Sequence, residues 1–393
     1  MGKKAPSYSG DFFSDEVILN PYPVYRDMRA IAPVLWLEKH NAYAAVSHRA
    51  VVDVLRRPKT FLSGRGLSLN DDVNKLLIGN TLNADGERHS RQRAITATAI
   101  MPNALTDLHP FIKDAAMRLA AHLDSKKSFD AVTDFAQILP VSIVIELVGL
   151  PESGRRKMLE WADAAFNLFE GFNERSQASF AKLQDLRNFL EEHGNPEALA
   201  KGGLTSRIFE EAPKHGFSMD EAAQLMRDYI NPSLDTTISA ASFLVYYFAR
   251  HPDQWDCLRE RPELAENAIE EVVRLTTPIR CFSRYVDDDC TVEGYHIEKG
   301  ARILAVYASA NRDESVFENP DDFNITRKTT KHVGFGFGKH TCMGMHLARL
   351  ELLALLHAFL PRVSRWHCEG VPEIARNNTI RGLTSLPVRI ENV

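Results

Sequence analysis

The chain has 393 residues, of which 44% are hydrophobic and 25% are charged, and its formal net charge is −5. This balance is typical of a globular protein and excludes long disordered regions, and the negative charge argues against a broad nucleic-acid-binding face. No apolar stretch reaches the roughly 18 residues of a membrane span, and the N-terminus lacks the apolar run of a signal peptide. We therefore expect a soluble, cytoplasmic protein with neither a membrane nor a nucleic-acid partner.

The cysteine pattern indicates whether disulfides or a zinc site are expected, and the uniform composition along the chain indicates the number of domains. Five cysteines occur without any CxxC pair, so we expect neither a disulfide framework nor a four-cysteine zinc site. The sequence contains no internal repeat and no low-complexity linker. We expect one domain over residues 1–393 and a monomeric protein.

Hydrophobic periodicity predicts a chain dominated by helices. In chain order, apolar residues at helical spacing predict helices after Pro23 and over residues 50–55, 105–123, 141–148, 220–250, 264–275 and 345–360. Ser218 followed by Glu221 is a capping-box pattern at the start of the longest of these helices. Alternating residues and turn signals predict short strands at 34–36, at 43–46 and within 282–308, and a hairpin over 380–390. The predicted fold class is mainly α with small β-sheets.

The segment from Phe335 to Gly344 differs from the rest of the chain. Three glycines and Cys342 fall just before a predicted helix. Glycine lets the backbone fold tightly and approach a flat group closely, and a helix start stabilises a thiolate through its dipole and free N–H groups. A thiolate in such a loop suits axial ligation of a haem iron. The alternative is a small buried hydrophobe, which is the usual role of a lone cysteine.

Four residues of this segment, Phe335, Gly338, Cys342 and Gly344, have the spacing Phe-x-x-Gly-x-x-x-Cys-x-Gly, and His340 stands between them. The segment resembles the haem-binding signature of the cytochrome P450 family. The resemblance implies the cytochrome P450 fold, which has an α-rich body and a smaller β-rich region. It also implies haem b as the cofactor, with Cys342 as the axial ligand of the iron.

Basic residues at three places match the propionate contacts of the family. His89 and Arg93 lie at i,i+4 and present two cationic donors on one helix face. The resemblance implies that these two bind the haem propionates together with Arg284 and His340. Each of the four, taken alone, is equally compatible with a solvated base on the surface.

Two further motifs match the family on predicted helices. Glu271 and Arg274, at i,i+3, can pair on one helix face, and the resemblance implies a buried pair that holds the fold. Asp235 followed by Thr236 is poor chemistry for a helix interior, because both side chains compete with the backbone. In the family such an acid–alcohol pair controls proton delivery during oxygen activation. Pro232–Ser233 stands where the family commonly has small residues, so we expect a kink there.

The resemblance implies a monooxygenase that activates dioxygen. No GxGxxG follows a predicted strand and no cysteine cluster is present, so the electrons are expected from a separate ferredoxin and ferredoxin reductase. Two other classes stay open. One is a haem-thiolate peroxygenase or isomerase, which usually lacks the acid–alcohol pair. The other is a non-catalytic haem-thiolate sensor, which usually carries an output domain.

Three short strings, SGRGLSLN, AFNLFEG and NNTIRGLTSLP, look like a bacterial subfamily that oxidises para-substituted benzoates, including O-demethylation of methoxybenzoates. The resemblance implies a hydroxylated or O-demethylated product from a small oxygenated aromatic, of the methoxyphenol, alkylphenol or benzoate type. The residues that match the substrate pocket are Arg65, Ser68, Phe166, Phe169, Asp228, Leu234, Phe282 and Leu383.

Two features of this set bear on the substrate. Phe166 and Phe169 lie at i,i+3, and with Phe282 they form a predicted flat slot for one aromatic ring, although a Phe pair at this spacing is as often plain core. Asp228 lies seven residues before Asp235 on the same predicted helix, about two turns away. A charged carboxylate there repels a benzoate and accepts a hydrogen bond from a phenol. The alternative is that an arginine at 227, 280 or 65 neutralises it.

Overall fold

Helices are the dominant element among the described residues. The computed structural model describes residues 2–98, 100–149, 154, 157–169, 173–193, 204–230 and 232–393. The α-helices are Asp15–Leu19, Pro21–Ile31, His48–Arg56, Asp71–Leu77, Gly86–Ala97, Pro102–Leu105, His109–Lys126, Ile138–Val148, Met158–Leu168, Glu174–His193, Leu204–Glu211, Met219–Leu225, Arg227–Ile230, Asp235–Arg250, Pro252–Glu260, Ala265–Thr276, Tyr307–Ala310 and Met345–Phe359. The predicted mainly α fold class is confirmed.

Short side chains start several of these helices. Ser14, Ser47 and Asn70 each accept a backbone N–H of the first turn, which satisfies a donor that has no partner inside the helix. Ser218 and Glu221 form the predicted capping box, in which each side chain accepts from the backbone N–H of the other. Local sequence therefore sets where these helices begin.

Small sheets complete the fold. A six-stranded mixed sheet has the strand order Ser7–Tyr8, Val34–Leu37, Ala42–Ala45, Arg302–Ala305, Phe282–Val286 and Phe61–Leu62. Its second and third strands are the predicted strand pair, in antiparallel register. Cys290–Val292 and Tyr295–Ile297 form a separate two-stranded sheet. The strands predicted within 282–308 are thereby confirmed.

The predicted hairpin over 380–390 is wrong. Leu383–Ser385 pairs with Glu373–Ile374, whereas Pro387–Asn392 pairs with Val363–Cys368 and with Ser128–Asp130. The two strands therefore enter different sheets. The turn signals between them are local, whereas their partners lie up to about 260 residues away in the sequence, and long-range pairing decides the sheet to which each strand belongs.

The longest predicted helix, over 220–250, is also wrong as one continuous element. Three helices, Met219–Leu225, Arg227–Ile230 and Asp235–Arg250, occupy this stretch, and residue 231 lies outside the described residues. Pro232 has no N–H to donate and its ring clashes with the carbonyl four residues earlier. The expected kink is therefore a break, and the acid at 235 stands at a helix start instead of a helix interior.

The pair predicted at 271 and 274 lies on the buried face of the helix Ala265–Thr276. Arg274 donates to both carboxylate oxygens of Glu271, at 2.7 and 2.9 Å, and neither side chain is exposed. Arg327 donates to the same carboxylate at 2.9 Å, and Arg274 also donates to the carbonyls of Asn311 and Pro320. The charges are therefore buried but paired and hydrogen-bonded, as burial requires.

A membrane span is not part of this architecture. No helix in the described part of the chain combines the length and the apolar character needed to cross a bilayer.

Candidate active site

The loop that carries Cys342 is held by its own backbone. The N–H of Cys342 donates to the carbonyl of Phe335 at 2.8 Å, and this bond closes the loop just before the helix Met345–Phe359. Gly336 and Gly338 have φ angles of 72° and 73°, a region that side chains with a Cβ rarely adopt. The spacing of the glycines therefore follows from the tight turn that brings the sulfur to the helix start.

The thiol of Cys342 is half-buried. Burial raises its pKa, while the backbone N–H groups of Gly344 and Met345 and the charges of Arg93 and Arg349 lower it. The sum of these effects in the protein alone favours the thiol. Since a metal ion deprotonates a coordinating thiol outright, these N–H groups and charges are suited to stabilise the sulfur as a ligand.

Space is available beside this loop. A Cβ placed on Gly344 would meet no atom within 4 Å, and residues 341–346 are all partly exposed although the helix that follows is packed into the core. A flat group can therefore approach the sulfur from this side.

The four predicted propionate contacts come together near the same loop. The rings of His89 and His340 are 4.2 Å apart. Burial, His340 and Arg93 lower the pKa of His89 to about 4, and burial lowers the pKa of His340, an effect to which the charges of Arg284 and Arg93 add. Charges that lower each other's pKa lie close together, so the structure forms one basic cluster from three separate elements.

This basic cluster has little counter-charge of its own. His340 Nε2 lies 3.7 Å from Asp85 Oδ1, whereas the described contacts of Arg93 and Arg284 are to backbone carbonyls, the closest being 2.6 Å to the oxygen of Thr341 and 2.7 Å to the oxygen of Ser283. The Nε2 atom of His89 is buried without a hydrogen-bond partner. A buried donor or acceptor without a partner is costly, and a group with two carboxylates would satisfy it.

The acid and the alcohol of the predicted proton pair occupy the first turn of the helix Asp235–Arg250. The Oδ2 atom of Asp235 is buried without a partner, and burial, together with the charge of Asp163, raises the pKa of this carboxyl well above its usual value. Thr236 donates to the carbonyl of Pro232 at 2.8 Å, a carbonyl that the helix break leaves available. The arrangement favours a protonated acid beside a hydroxyl.

Asp163 is a site residue that the sequence analysis missed. It lies on the helix Met158–Leu168, one turn before Phe166, and Asn377 Nδ2 donates to its Oδ1 at 2.8 Å. Only the i,i+3 spacing from Phe166 to Asp163 linked this acid to the predicted pocket. Its proximity to Asp235 depends on the packing of two distant helices, which the sequence does not reveal.

The three predicted phenyl rings form one cluster. The ring centroids of Phe166 and Phe169 are 5.6 Å apart, and those of Phe169 and Phe282 are 5.4 Å apart with the planes at 74°. Tyr307 extends the cluster at 6.2 Å from Phe282. All four rings are buried, and the edge-on contacts of Phe282 with Phe169 and Tyr307 have a geometry that aromatic pairs prefer.

Asp228 lies in a different setting from the predicted one. It belongs to the helix Arg227–Ile230 and not to the helix of Asp235, so the two-turn relation is wrong. Its carboxylate accepts the backbone N–H of Thr81 with both oxygens, at 3.0 and 3.2 Å. Burial raises its pKa to about 6, although the N–H and hydroxyl of Thr81 and the charges of Arg227 and Arg93 each lower it. Thr81 is a second residue that the sequence analysis missed.

Arg65 is exposed and does not line an enclosed pocket. Its side chain is 59% exposed, lies 3.5 Å from Asp287 and stacks on Tyr285. Arg280, the other arginine considered as a partner of Asp228, donates to the hydroxyl of Tyr25 and to the carbonyl of Asn378. A loop string gives no direction for a long side chain, so the sequence did not indicate the exposure of Arg65.

The remaining predicted pocket residues are buried. Ser68 accepts the N–H of Asn70 through its hydroxyl, so this hydroxyl stabilises its own loop. Leu234 and Leu383 are part of the main helical core cluster, whereas the phenyl rings belong to the cluster under the six-stranded sheet. The structure therefore brings the predicted residues to two neighbouring parts of the core.

These features, a mainly helical fold, a cysteine on a glycine loop and a basic cluster beside it, are typical of proteins that bind a cofactor through a cysteine. Comparisons with known proteins identify the family. The family profile described as Cytochrome P450 matches residues 253–391. The chain is 34% identical to cytochrome P450 CYP199A2 of Rhodopseudomonas palustris, over 99% of this chain and 95% of that protein. It is 28% identical to linalool 8-monooxygenase of Pseudomonas putida, over 96% of this chain and 97% of that protein.

A solved structure agrees with the sequence comparisons. P450BioI, solved in complex with an acyl carrier protein that carries hexadec-9Z-enoic acid, superposes with a TM-score of 0.86 at 25% identity, over 96% of this chain and all of that one. The chain belongs to the cytochrome P450 family. It is a cytochrome P450 monooxygenase, an oxidoreductase whose family binds haem b through a cysteine thiolate.

The residues present fit this cofactor. The space beside Gly344, the N–H groups near the sulfur of Cys342 and the unpartnered Nε2 of His89 in a basic cluster are the features that a flat, dianionic iron macrocycle requires.

Proposed function

We propose that this protein hydroxylates or O-demethylates a small oxygenated aromatic compound with dioxygen and with electrons from a ferredoxin and its reductase. Haem, when bound, supplies the activation of dioxygen and the transfer of one oxygen atom to a substrate carbon. The observation that carries the substrate class is the cluster of Phe166, Phe169 and Phe282. The ring of Phe169 contacts Phe166 at a tilt and Phe282 edge-on, and Asp163 lies on the same helix as Phe166. A single aromatic ring packs against such a surface with the geometry that the rings already use among themselves.

The proposal gives this chain's residues the following roles. Cys342 ligates the iron, and the N–H groups of Gly344 and Met345 limit the charge on its sulfur. His89, Arg93, Arg284 and His340 hold the two propionates by charge-assisted hydrogen bonds.

Protons are delivered from Asp235 through the hydroxyl of Thr236 in this proposal. Burial and Asp163 favour the protonated form of Asp235, so the acid holds a proton at the start of the helix. The hydroxyl of Thr236 would accept this proton and donate its own towards the oxygen-binding side. This transfer requires the O–H to leave its bond to the carbonyl of Pro232. A positioned side chain that transfers a proton in this way acts as a general acid.

The charge of Asp228 disfavours an anionic ring substituent that lies near Thr81, the residue whose N–H its carboxylate accepts. Burial raises the pKa of Asp228 to about 6, so this carboxylate is mostly ionised at neutral pH. A buried negative charge disfavours a second one nearby. We therefore expect a phenol or a neutral methoxyarene to bind better than the corresponding benzoate.

A binding screen tests the substrate class. Matched phenols, benzaldehydes and benzoates with para-methoxy or para-alkyl groups are titrated into the ferric protein, and the spin-state shift is measured for each. The proposal expects a shift with at least one neutral para-substituted arene and weaker binding of its benzoate. A shift only with long aliphatic or polycyclic compounds would contradict it. Turnover with ferredoxin and reductase, compared with turnover with hydrogen peroxide alone, tests the electron source.

A further inference from the structure

Consecutive charged residues on the short helix Arg227–Ile230 hold the segment that connects the helices Asp71–Leu77 and Gly86–Ala97. Arg227 Nη2 donates to the carbonyl of Ile78 at 2.8 Å. The carboxylate of Asp228 accepts the N–H of Thr81 with both oxygens. The two side chains therefore hold the two ends of residues 78–81.

The charges of Arg227 and Asp228 do not form a direct ion pair with each other. Neighbours at i,i+1 do not share a helix face, and each of the two side chains bonds backbone instead: Arg227 also donates to the carbonyl of Gln224. Both residues are more than nine-tenths buried. Each charged side chain therefore hydrogen-bonds the segment. If the segment moves, Arg227 loses its bond to Ile78 and Asp228 loses its bond to Thr81.

The fit between the helix and the segment is close. Gly79 has a φ of 117°, and a Cβ there would lie 2.9 Å from Arg227 Nη2. Gln92 donates to the carbonyl of Gly79 at 3.2 Å, which ties the segment to the helix that carries the basic cluster.

The segment is linked both to the basic cluster and to the part of the chain that leads to Asp235. It leads into the helix with His89 and Arg93, and its clamp stands on the helix that precedes Asp235 in the chain. The charge of Arg93 acts on the carboxyl of Asp228, which places the clamp next to the basic cluster. Ile78, at the outer end, is 57% exposed, whereas Thr81 is buried, so the segment runs from the surface inwards.

We propose that Arg227 and Asp228 form a clamp on residues 78–81, and that release of this clamp controls how fast small molecules reach the site. Both are positioning residues that act through the segment. The clamp itself does not depend on the proposed function; only the gating of substrate rests on it.

The clamp has a pH dependence whose sign follows from linkage. The charges of Arg227, on the same helix, and of Arg93, on the helix Gly86–Ala97, act on the carboxyl of Asp228 through space. Arg187 acts on Arg227 from the helix Glu174–His193, and the charge of Asp228 acts on the buried, neutral Tyr229. In the closed state the pKa of Asp228 is raised to about 6, whereas exposure to water on opening returns it towards its usual value of 3.8. The closed state therefore binds the proton more tightly, and opening becomes easier as the pH rises. Between pH 5 and 7 the opening equilibrium should increase about tenfold.

Hydrogen exchange of the holoenzyme tests the clamp directly. The protection factor of the peptide 78–84 is measured from pH 5 to 7, with correction for intrinsic exchange. We expect the wild type to lose about tenfold in protection over this range, and Asp228→Asn to show protection independent of pH. Arg227→Met should lower protection about tenfold or more at pH 7, with partial rescue in Arg227→Lys. Asp220→Asn, at an exposed acid on the preceding helix, is the matched control and should follow the wild type.

Access is measured in the same proteins by stopped-flow binding of 4-phenylimidazole, a haem ligand that requires no knowledge of the natural substrate. Imidazoles titrate in this pH range, so the association rate constant is calculated from the concentration of the neutral ligand at each pH. This rate constant should rise with pH in the wild type, be independent of pH in Asp228→Asn and increase in Arg227→Met. Protection that is independent of pH in the wild type and unchanged in Arg227→Met overturns the clamp. Protection that changes without any change in the association rate overturns the gating. Neither result depends on which aromatic compound is oxidised.

Discussion

Two buried pairs of arginine and carboxylate in this protein are arranged differently. Glu271 and Arg274 lie at i,i+3, and the guanidinium donates to both carboxylate oxygens. Arg227 and Asp228 are adjacent in sequence, and each bonds the backbone of a distant segment. Spacing decides the outcome, because only i,i+3 and i,i+4 neighbours face each other on a helix. In the first pair the two charges neutralise each other and stabilise the fold. In the second pair each charged side chain hydrogen-bonds the connecting segment 78–81 and holds it in place.

Removing one charge from the self-neutralised pair should have the largest effect on stability. Glu271→Gln leaves the guanidinium of Arg274 buried without its counter-charge and weakens the bond to Arg327. We expect a loss of about 3–5 kcal/mol in the free energy of unfolding, measured by denaturant titration. Glu263→Gln, in an exposed pair with Arg261, is the control and should change stability by less than about 1 kcal/mol. A loss of similar size in both variants would contradict the distinction.

Arg93 tests a third arrangement, in which a cation bonds carbonyls and lacks a carboxylate partner among the described contacts. Arg93→Ala should weaken haem retention by about 1.5–3 kcal/mol, since one charge-assisted hydrogen bond to a propionate is lost. Transfer of haem to apomyoglobin measures the rate of loss. Arg88→Ala removes a neighbouring arginine that pairs with Glu221 at the surface, and it should leave the rate unchanged. An unchanged rate in Arg93→Ala would identify residue 93 as a plain structural base.

A smaller effect on stability is expected from a substitution of Gly79, which tests the contact between the segment 78–81 and Arg227. Gly79→Ala forces a Cβ into a φ of 117° and within 2.9 Å of Arg227 Nη2. The strain of a left-handed residue is about 1–2 kcal/mol, and the loss should appear as faster exchange of peptide 78–84, with little change in the global unfolding midpoint. Gly86→Ala, at a positive φ with open space around the glycine, controls for backbone strain alone. Equal exchange of peptide 78–84 in the two variants would contradict a close contact with the clamp.

Substitutions in the acid–alcohol pair should change turnover and coupling, and they should have the smallest effect on stability. Thr236→Ala removes one bond to the carbonyl of Pro232 and the hydroxyl that passes the proton. We expect unchanged substrate binding and unchanged electron uptake, with reducing equivalents diverted to hydrogen peroxide. Asp235→Asn should slow turnover more than it uncouples it. Product and peroxide are quantified per NADH consumed, and normal coupling in both variants would remove the proposed role.

The parts of the molecule that were predictable from the sequence are those that local spacing determines. Cys342 precedes a helix, and its glycines take the positive φ angles that a tight loop requires. The pair Glu271 and Arg274 is buried as the resemblance implied. In both cases the residues that matter lie within ten positions of one another, so their geometry follows from the loop or the helix itself.

The parts that were not predictable depend on which distant segments meet. Pro232 signalled a kink, but the extent of the break, and with it the separation of Asp228 from Asp235 into different helices, depends on tertiary packing. Thr81 and Asp163 contribute through contacts across about 150 and 70 residues of sequence, respectively. Arg65 lies in a string typical of a pocket, yet its side chain turns outwards to Asp287. A sequence pattern gives no direction for such side chains.

The carbon monoxide spectrum of the reduced protein tests the central claim most directly, since it reports which protein atom would ligate the haem iron. With Cys342 as the thiolate ligand, the reduced wild type with carbon monoxide should show the red-shifted Soret band that gives the family its name. Cys342→His should retain haem through the basic cluster but lose this band. A red-shifted band that persists in Cys342→His, or one that is absent from the freshly reduced wild type with full haem content, would contradict the assignment.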